Sequence, residues 1–194
     1  MNYVYHGSKK SHLKIIERRI SSHNKNWVYA SFSEVVATVF INNGGCDLHY
    51  HLSGEGTEES PIILVERKKD IFDKIYNTSG SLYVLNEINF TKNKTSWSAE
   101  VVSEYDEPVV NEIYIKNILE KIEELSKAKK LVLYRYPNRP PFIPLDNRDL
   151  IAKVVKWNEK GQTIFLELYP ELKTQFDKVL KSLNTKCKSY KTSK

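Results

Sequence analysis

Cysteine is nearly missing from this sequence: two residues in 194, Cys46 and Cys187, far apart and at no metal-ligand spacing. That excludes a disulfide framework and a cysteine-based zinc site, and both residues read as free thiols. Glycine is sparse too, with seven residues. Gly44-Gly45 and Gly54/Gly56 lack the third partner of a Walker or dinucleotide phosphate loop, and no Gly-x-Ser-x-Gly elbow occurs. No apolar run approaches the roughly 18 residues of a membrane span, and no basic-then-apolar stretch opens the chain. With 40% apolar and 28% charged residues, the composition is that of an ordinary globular protein, and a cytoplasmic location is the expectation.

The net charge of +6 hints at nucleic acid until it is located. Lys178, Lys181, Lys186, Lys188, Lys191 and Lys194 stand in a tail with no acid, leaving 24 basic and 24 acidic residues before them. The body is formally neutral. The tail reads as a solvated terminus, with docking onto a polyanion as the alternative. His49-Tyr50-His51 would set two imidazoles on one face of a strand. Without cysteine or carboxylate companions at a matching spacing, no metal is expected. Glu55, Glu58 and Glu59 read as a solvated loop.

Short β-like runs dominate the first two thirds: Tyr3–Ser8, Trp27–Phe32, Asp47–Leu52, Ile62–Glu66, Ser81–Asn86, Glu100–Tyr105, Val109–Ile115 and Leu131–Tyr136. Mixed apolar spacing predicts a loop with a short helical turn over Ser11–Arg19. Ser33 caps a helix predicted over 34–41, and Asn42–Gly45 ends it. Further helices are predicted over 67–77, Asn117–Lys127, about 147–157 and about 170–183. Pro137-Asn138-Arg139-Pro140-Pro141 is the strongest breaker, and divides the chain into 1–136 and a helical extension, 137–194. Many short strands without regular strand–helix alternation predict an α+β fold.

Tyr5-His6-Gly7-Ser8, then Val28-Tyr29-Ala30-Ser31, then a helix with Ala37 and Phe40, resembles the start of the ADP-ribosyltransferase superfamily. The likeness is to its His-Tyr-Glu branch, that of diphtheria toxin and the poly(ADP-ribose) polymerases. Ser81-Leu82-Tyr83-Val84-Leu85 and Trp97-Ser98-Ala99-Glu100-Val101-Val102-Ser103 resemble later strands of small bacterial members. The resemblance covers roughly 1–115 and implies a split β-sandwich of two small sheets around a cleft lined by Tyr3–His6 and Trp27–Ala30.

It also implies NAD as substrate, and roles for individual residues. His6 would bond the adenosine ribose, and the Gly7 backbone would grip the carboxamide, glycine allowing close ligand approach. Ser8 would lie near the ribose. Tyr29 and Phe40 would flank the nicotinamide ring, and Glu100 would be the catalytic carboxylate, with Glu104 on the same strand as its alternative. Ser98, two residues before Glu100, argues against a guanidinium acceptor.

Three functions follow from different classes. One is a mono-ADP-ribosyltransferase or NAD glycohydrolase with an unknown acceptor. Another is a non-catalytic NAD- or ADP-ribose-binding module. The third is a nucleic-acid-associated protein using the Lys178–Lys194 tail.

Overall fold

The computed structural model describes residues 2–20 and 25–191, with the side chains of the last helix described as far as residue 183. The chain divides into two compact units, Met1–Tyr136 and Pro137–Lys194, at the proline-rich breaker.

Among the described residues three sheets build the first unit. The first runs in the order β1 (Tyr3–Ser8), β7 (Gly80–Asn86), β10 (Glu107–Ile115), β2 (Ile15–Ile16), all antiparallel. The second has the order β3 (Arg19–Ile20), β4 (Asn26–Ala30), β9 (Val101–Ser103), β8 (Thr91–Lys92), also antiparallel. In the third, β6 (Ile63–Glu66) pairs antiparallel with β5 (Tyr50–Ser53) and parallel with β11 (Val132–Tyr134). Among the described residues three α-helices accompany them: α1 (Glu34–Val39), α2 (Ile71–Tyr76) and α3 (Ile118–Lys127). The class is mixed α and β, as the irregular strand–helix order predicts.

Strand alternation divides the core. Val4, Tyr83 and Leu85 pack with Val28 and Val101 of the second sheet. Leu82 instead joins Val36, Val39, Phe72, Ile118 and Ile122 in a cluster under the helices. The neighbouring strands β1 and β7 therefore serve two apolar clusters, one on each face. Ser33 and Asn117 cap α1 and α3 as their positions predict, with Ser33 Oγ accepting from the Val36 amide and Asn117 Oδ1 from those of Leu119 and Glu120.

Several expectations need correction. Ser11–Arg19 contains no helical turn; it holds β2, paired to Glu107–Pro108, and the first residue of β3, paired to Asn26–Trp27. Three sheets stand where two were expected. Glu100 and Glu104 flank the short strand β9 rather than lying on it.

The second unit is helical, with α4 (Asp149–Val154), α5 (Glu159–Leu168) and α6 (Lys173–Lys191). The sequence pattern predicts two helices there, and α5 is an addition, capped by the Asn158 side chain on the Gly161 amide. Phe165 meets the rings of Tyr169 and Phe176 at 5.6 and 5.7 Å. Of the tail lysines, Lys178 and Lys181 lie on α6, while the side chains of Lys186, Lys188, Lys191 and Lys194 fall outside the described residues, as does that of Cys187. No helix among the described residues is long and apolar enough to cross a membrane.

Candidate functional site

The site begins as a split between two strands. Tyr5 of β1 gives its amide to the Ser31 carbonyl at 2.7 Å and accepts the Ser31 amide at 2.9 Å. This is an isolated bridge: the ladder between β1 and β4 does not continue. The two-residue period of a strand turns the N–H and C=O of Gly7 to the same side as those of Tyr5, into the opening. Tyr29, the residue that would face Gly7 in a continued ladder, accepts a bond from elsewhere. His6 Nδ1 reaches across and lies 2.7 Å from the Tyr29 carbonyl oxygen. The histidine ring thus wedges the strands apart.

That bond also fixes the imidazole's chemistry. A carbonyl oxygen only accepts, so Nδ1 carries the proton and donates. Burial lowers the His6 pKa from its ordinary value, the Tyr29 carbonyl opposes this, and the Arg19 charge lowers it further. The ring is neutral, and its Nε2 is left as an acceptor suited to a hydroxyl.

A cavity of about 260 Å³ occupies the split, walled by Tyr5, His6 and Gly7 from β1, Tyr29, Ala30 and Ser31 from β4 and its end, Val36, Ala37 and Phe40 from α1 and its C-cap, and Glu100. Five of the predicted site residues, His6, Gly7, Tyr29, Phe40 and Glu100, therefore line one cavity. Ser8 does not; it lines an adjoining cavity that shares His6 and Tyr29 with the first. Glu104 lines neither, and its carbonyl accepts from Arg18 Nη1 at 2.9 Å.

Packing against α1 also requires glycine at position 7. A Cβ there would stand 2.0 Å from the Ala37 carbonyl oxygen and 2.8 Å from Ile41 Cγ1. Glycine lets α1 press onto β1, and the backbone edge remains open to the cavity.

Residues to which the sequence reading gives no role position Glu100. Ser31, 2% exposed, donates through Oγ to the Ala99 carbonyl at 2.6 Å and accepts the Ser33 amide at 3.0 Å. The Glu100 amide donates to the Trp97 carbonyl at 3.1 Å, and Trp97 Nε1 donates to the Gly54 carbonyl at 3.1 Å. The Trp97 ring meets Phe40 edge-on at 6.2 Å, with Phe40 left 45% exposed beside the cavity. Ser98 donates to Glu55 at 2.7 Å, so a carboxylate does stand beside the position whose serine argued against a guanidinium acceptor.

The histidine pair is not a strand-face pair: His49 precedes β5, with Nδ1 3.3 Å from Cys46 Sγ, while His51 Nε2 lies 2.9 Å from Ser53 Oγ. Among the described residues no group of three or more His, Cys, Asp or Glu side chains is placed to hold a metal.

The cavity combines an unused strand edge, a neutral imidazole, three aromatic residues, Tyr5, Tyr29 and Phe40, and a carboxylate. Such a set suits a planar amide-bearing ring attached to a hydroxylated group. Comparisons with protein-family models, curated proteins and solved structures found no match to this chain.

Proposed function

We propose that this chain is an NAD-dependent mono-ADP-ribosyltransferase that releases nicotinamide and passes ADP-ribose to an acceptor, water included, in the cytoplasm. The observation that carries the reading is the meeting of His6, Gly7, Tyr29, Phe40 and Glu100, distant in sequence, around one cavity at a strand split. In this reading the separated sheets are the superfamily's split β-sandwich.

The Gly7 N–H and C=O hold the carboxamide, and Tyr29 and Phe40 flank the ring. His6 Nε2 accepts from a ribose hydroxyl. The bond between the ribose anomeric carbon and the pyridinium nitrogen breaks, and nicotinamide leaves with the electron pair. The Glu100 carboxylate stabilises the oxocarbenium charge that develops. The acceptor's lone pair then forms the new bond to that carbon, and its proton passes to solvent.

Calorimetric titration with NAD and chromatographic detection of nicotinamide test this. NAD should bind, His6→Ala and Tyr29→Ala should weaken it about tenfold or more, and nicotinamide should accumulate. Absence of binding at millimolar NAD, with the fold intact by circular dichroism, overturns the reading. Binding without release converts it to a non-catalytic NAD-binding module.

A further inference from the structure

One strand of the first sheet has a side left unused. β10 pairs with β7 over residues 109–115, but with β2 only at Glu107 and Pro108. Next to that short pairing the Val109 amide donates to the Lys14 carbonyl at 3.0 Å, and there the cover on the outer side ends. In an antiparallel strand every second residue turns its N–H and C=O away from a given neighbour. Among the described residues no strand pairs with the outer side of residues 110–115.

Such an edge is a template for another strand, and proteins blunt it with a bulge, a proline or charges. β10 has its register shift at Val110 and its proline at position 108, both toward the end where β2 pairs. From Asn111 to Ile115 its pairing with β7 is regular. Val110, Ile113 and Tyr114 are exposed along this stretch. An open groove of about 260 Å³ lies beside it, lined by residues 113–117 and by Glu120, Lys121 and Glu124 of α3.

The charges on this edge do not repel a second copy of it. Two copies related by a two-fold axis pair antiparallel, and directly opposed side chains share a face, so the axis passes through a residue. With the axis at Tyr114, Glu112 stands opposite Lys116 of the second copy, Ile113 opposite Ile115, and Tyr114 opposite itself. Acid then meets base twice, and apolar residues meet at the positions between. An axis at Glu112 would set the two carboxylates side by side and bring the second copy against β2 at Pro108. An axis at Ile113 would oppose Asn111 to Ile115 and Lys116 to Val110. Only the Tyr114 register is complementary throughout.

Both charges are ready for that pairing. The Glu112 carboxylate accepts from Ser81 Oγ at 2.6 Å and the His12 amide at 2.9 Å, and its side chain remains 21% exposed. Lys116 is exposed, and its side chain has no hydrogen bond or ion pair among the described residues. A long lysine arm spans the distance to a neighbouring strand.

We infer that residues 112–116 pair with the same residues of a second copy of this chain, in an antiparallel ladder centred on Tyr114 that joins two first sheets into one. The inference does not rest on the NAD reading.

Sedimentation velocity of the full-length protein between about 1 and 200 μM tests it, since a self-association follows mass action. The monomer should give way to a species of twice its mass. Hydrogen–deuterium exchange of the peptide covering residues 112–116 should slow about tenfold or more from the dilute to the concentrated sample, because a paired edge is protected. Ile113→Lys and Lys116→Glu alter exposed side chains and should each weaken the dimer about tenfold or more, the second by opposing carboxylates. Their urea midpoints should match that of the unaltered chain, and Lys116→Arg should keep the dimer. A monomer at every concentration overturns the inference and leaves the edge to a different chain. A dimer whose residues 112–116 exchange as fast as in the monomer also overturns it, and this readout needs no substitution. Indifference of the dimer to both Ile113→Lys and Lys116→Glu does the same.

Discussion

At the scale of single residues, the carboxylates at positions 100 and 104 look interchangeable in sequence, and their surroundings separate them. Glu100 lines the cavity and is tethered through Trp97, Ala99 and Ser31, whereas Glu104 lies past the end of β9 and outside it. If charge stabilisation is the role of Glu100, Glu100→Gln keeps the volume and the NAD dissociation constant. Nicotinamide release then falls about 100-fold or more, roughly 3 kcal/mol of transition-state stabilisation. Glu104→Gln should leave both within twofold. Loss of release on Glu104→Gln with none on Glu100→Gln would reassign the catalytic carboxylate.

His6 yields a second prediction, in pH. Its pKa is lowered by burial from the ordinary 6.5, so the unfolded chain binds the proton more readily than the folded one. The stability that neutral His6 contributes is complete above about pH 6.5 and is lost as pH falls through the folded-state value. Burial shifts His49 in the same direction. Urea midpoints between pH 7.5 and 5.5 should therefore decline with acidity, and His6→Gln should flatten part of that decline. A midpoint that rises with acidity contradicts the neutral, Nδ1-protonated wedge.

At the scale of elements, one buried carboxylate ties four pieces of chain together. Glu66 at the end of β6 is 2% exposed and accepts from Arg135 Nε at 2.9 Å, the Phe72 amide at 2.9 Å and the Tyr136 amide at 3.0 Å. Arg135 reaches on to Asp73 beside it on α2 at 2.6 Å and to Glu123 of α3 at 3.4 Å. Arg135→Met keeps the aliphatic stem but leaves Glu66 buried without its countercharge, which should cost about 3–5 kcal/mol in urea unfolding. Asp73→Asn and Glu123→Gln remove half-exposed partners and should cost under about 1 kcal/mol each. Comparable losses from all three would show that Glu66 is not the centre of the arrangement.

The same scale shows what the sequence makes legible. α1 and α3 announce themselves through local chemistry, in Ser33 and Asn117 as caps and an apolar stripe after each. β2 and β3 do not, because two-residue strands exist only through partners at Glu107–Pro108 and Asn26–Trp27. The mixed apolar spacing of 11–19 carries no trace of that pairing, and reads as a helical turn instead. The Asn158 cap of α5 has the same local form as the others, and the pattern of 147–183 simply passes over it. In the site, family likeness points to His6, Gly7, Tyr29, Phe40 and Glu100, which are side chains or edges facing the first cavity. Ser31 and Trp97 act by holding backbone carbonyls and loops, and Lys10 and Arg19 face the adjoining cavity, which exists only after β1, β3 and β4 have assembled.

At the scale of the whole molecule, charge is divided as the chain is. After Tyr136 stand 12 basic and 6 acidic residues, which leaves 18 of each in Met1–Tyr136. The unit that carries the candidate site has no net charge, and the whole +6 belongs to the helical unit and its tail. Any attraction to a polyanion should therefore reside after residue 136, whatever the substrate of the site. A chain ending at Tyr136, if it folds alone, should show a cooperative unfolding transition and retain NAD binding, while losing retention on a polyanionic matrix. For the intact chain, the affinity for single-stranded polynucleotide should fall with salt on a log–log slope no steeper than about −4, the limit set by the six tail lysines. Removal of residues 184–194 takes away four of those lysines and should reduce the slope accordingly. A slope unchanged by that deletion would place the phosphate contacts elsewhere. Retention of full polynucleotide affinity by the chain ending at Tyr136 would show that the neutral unit holds a local cationic groove, with Lys10 and Arg19 the first residues to substitute.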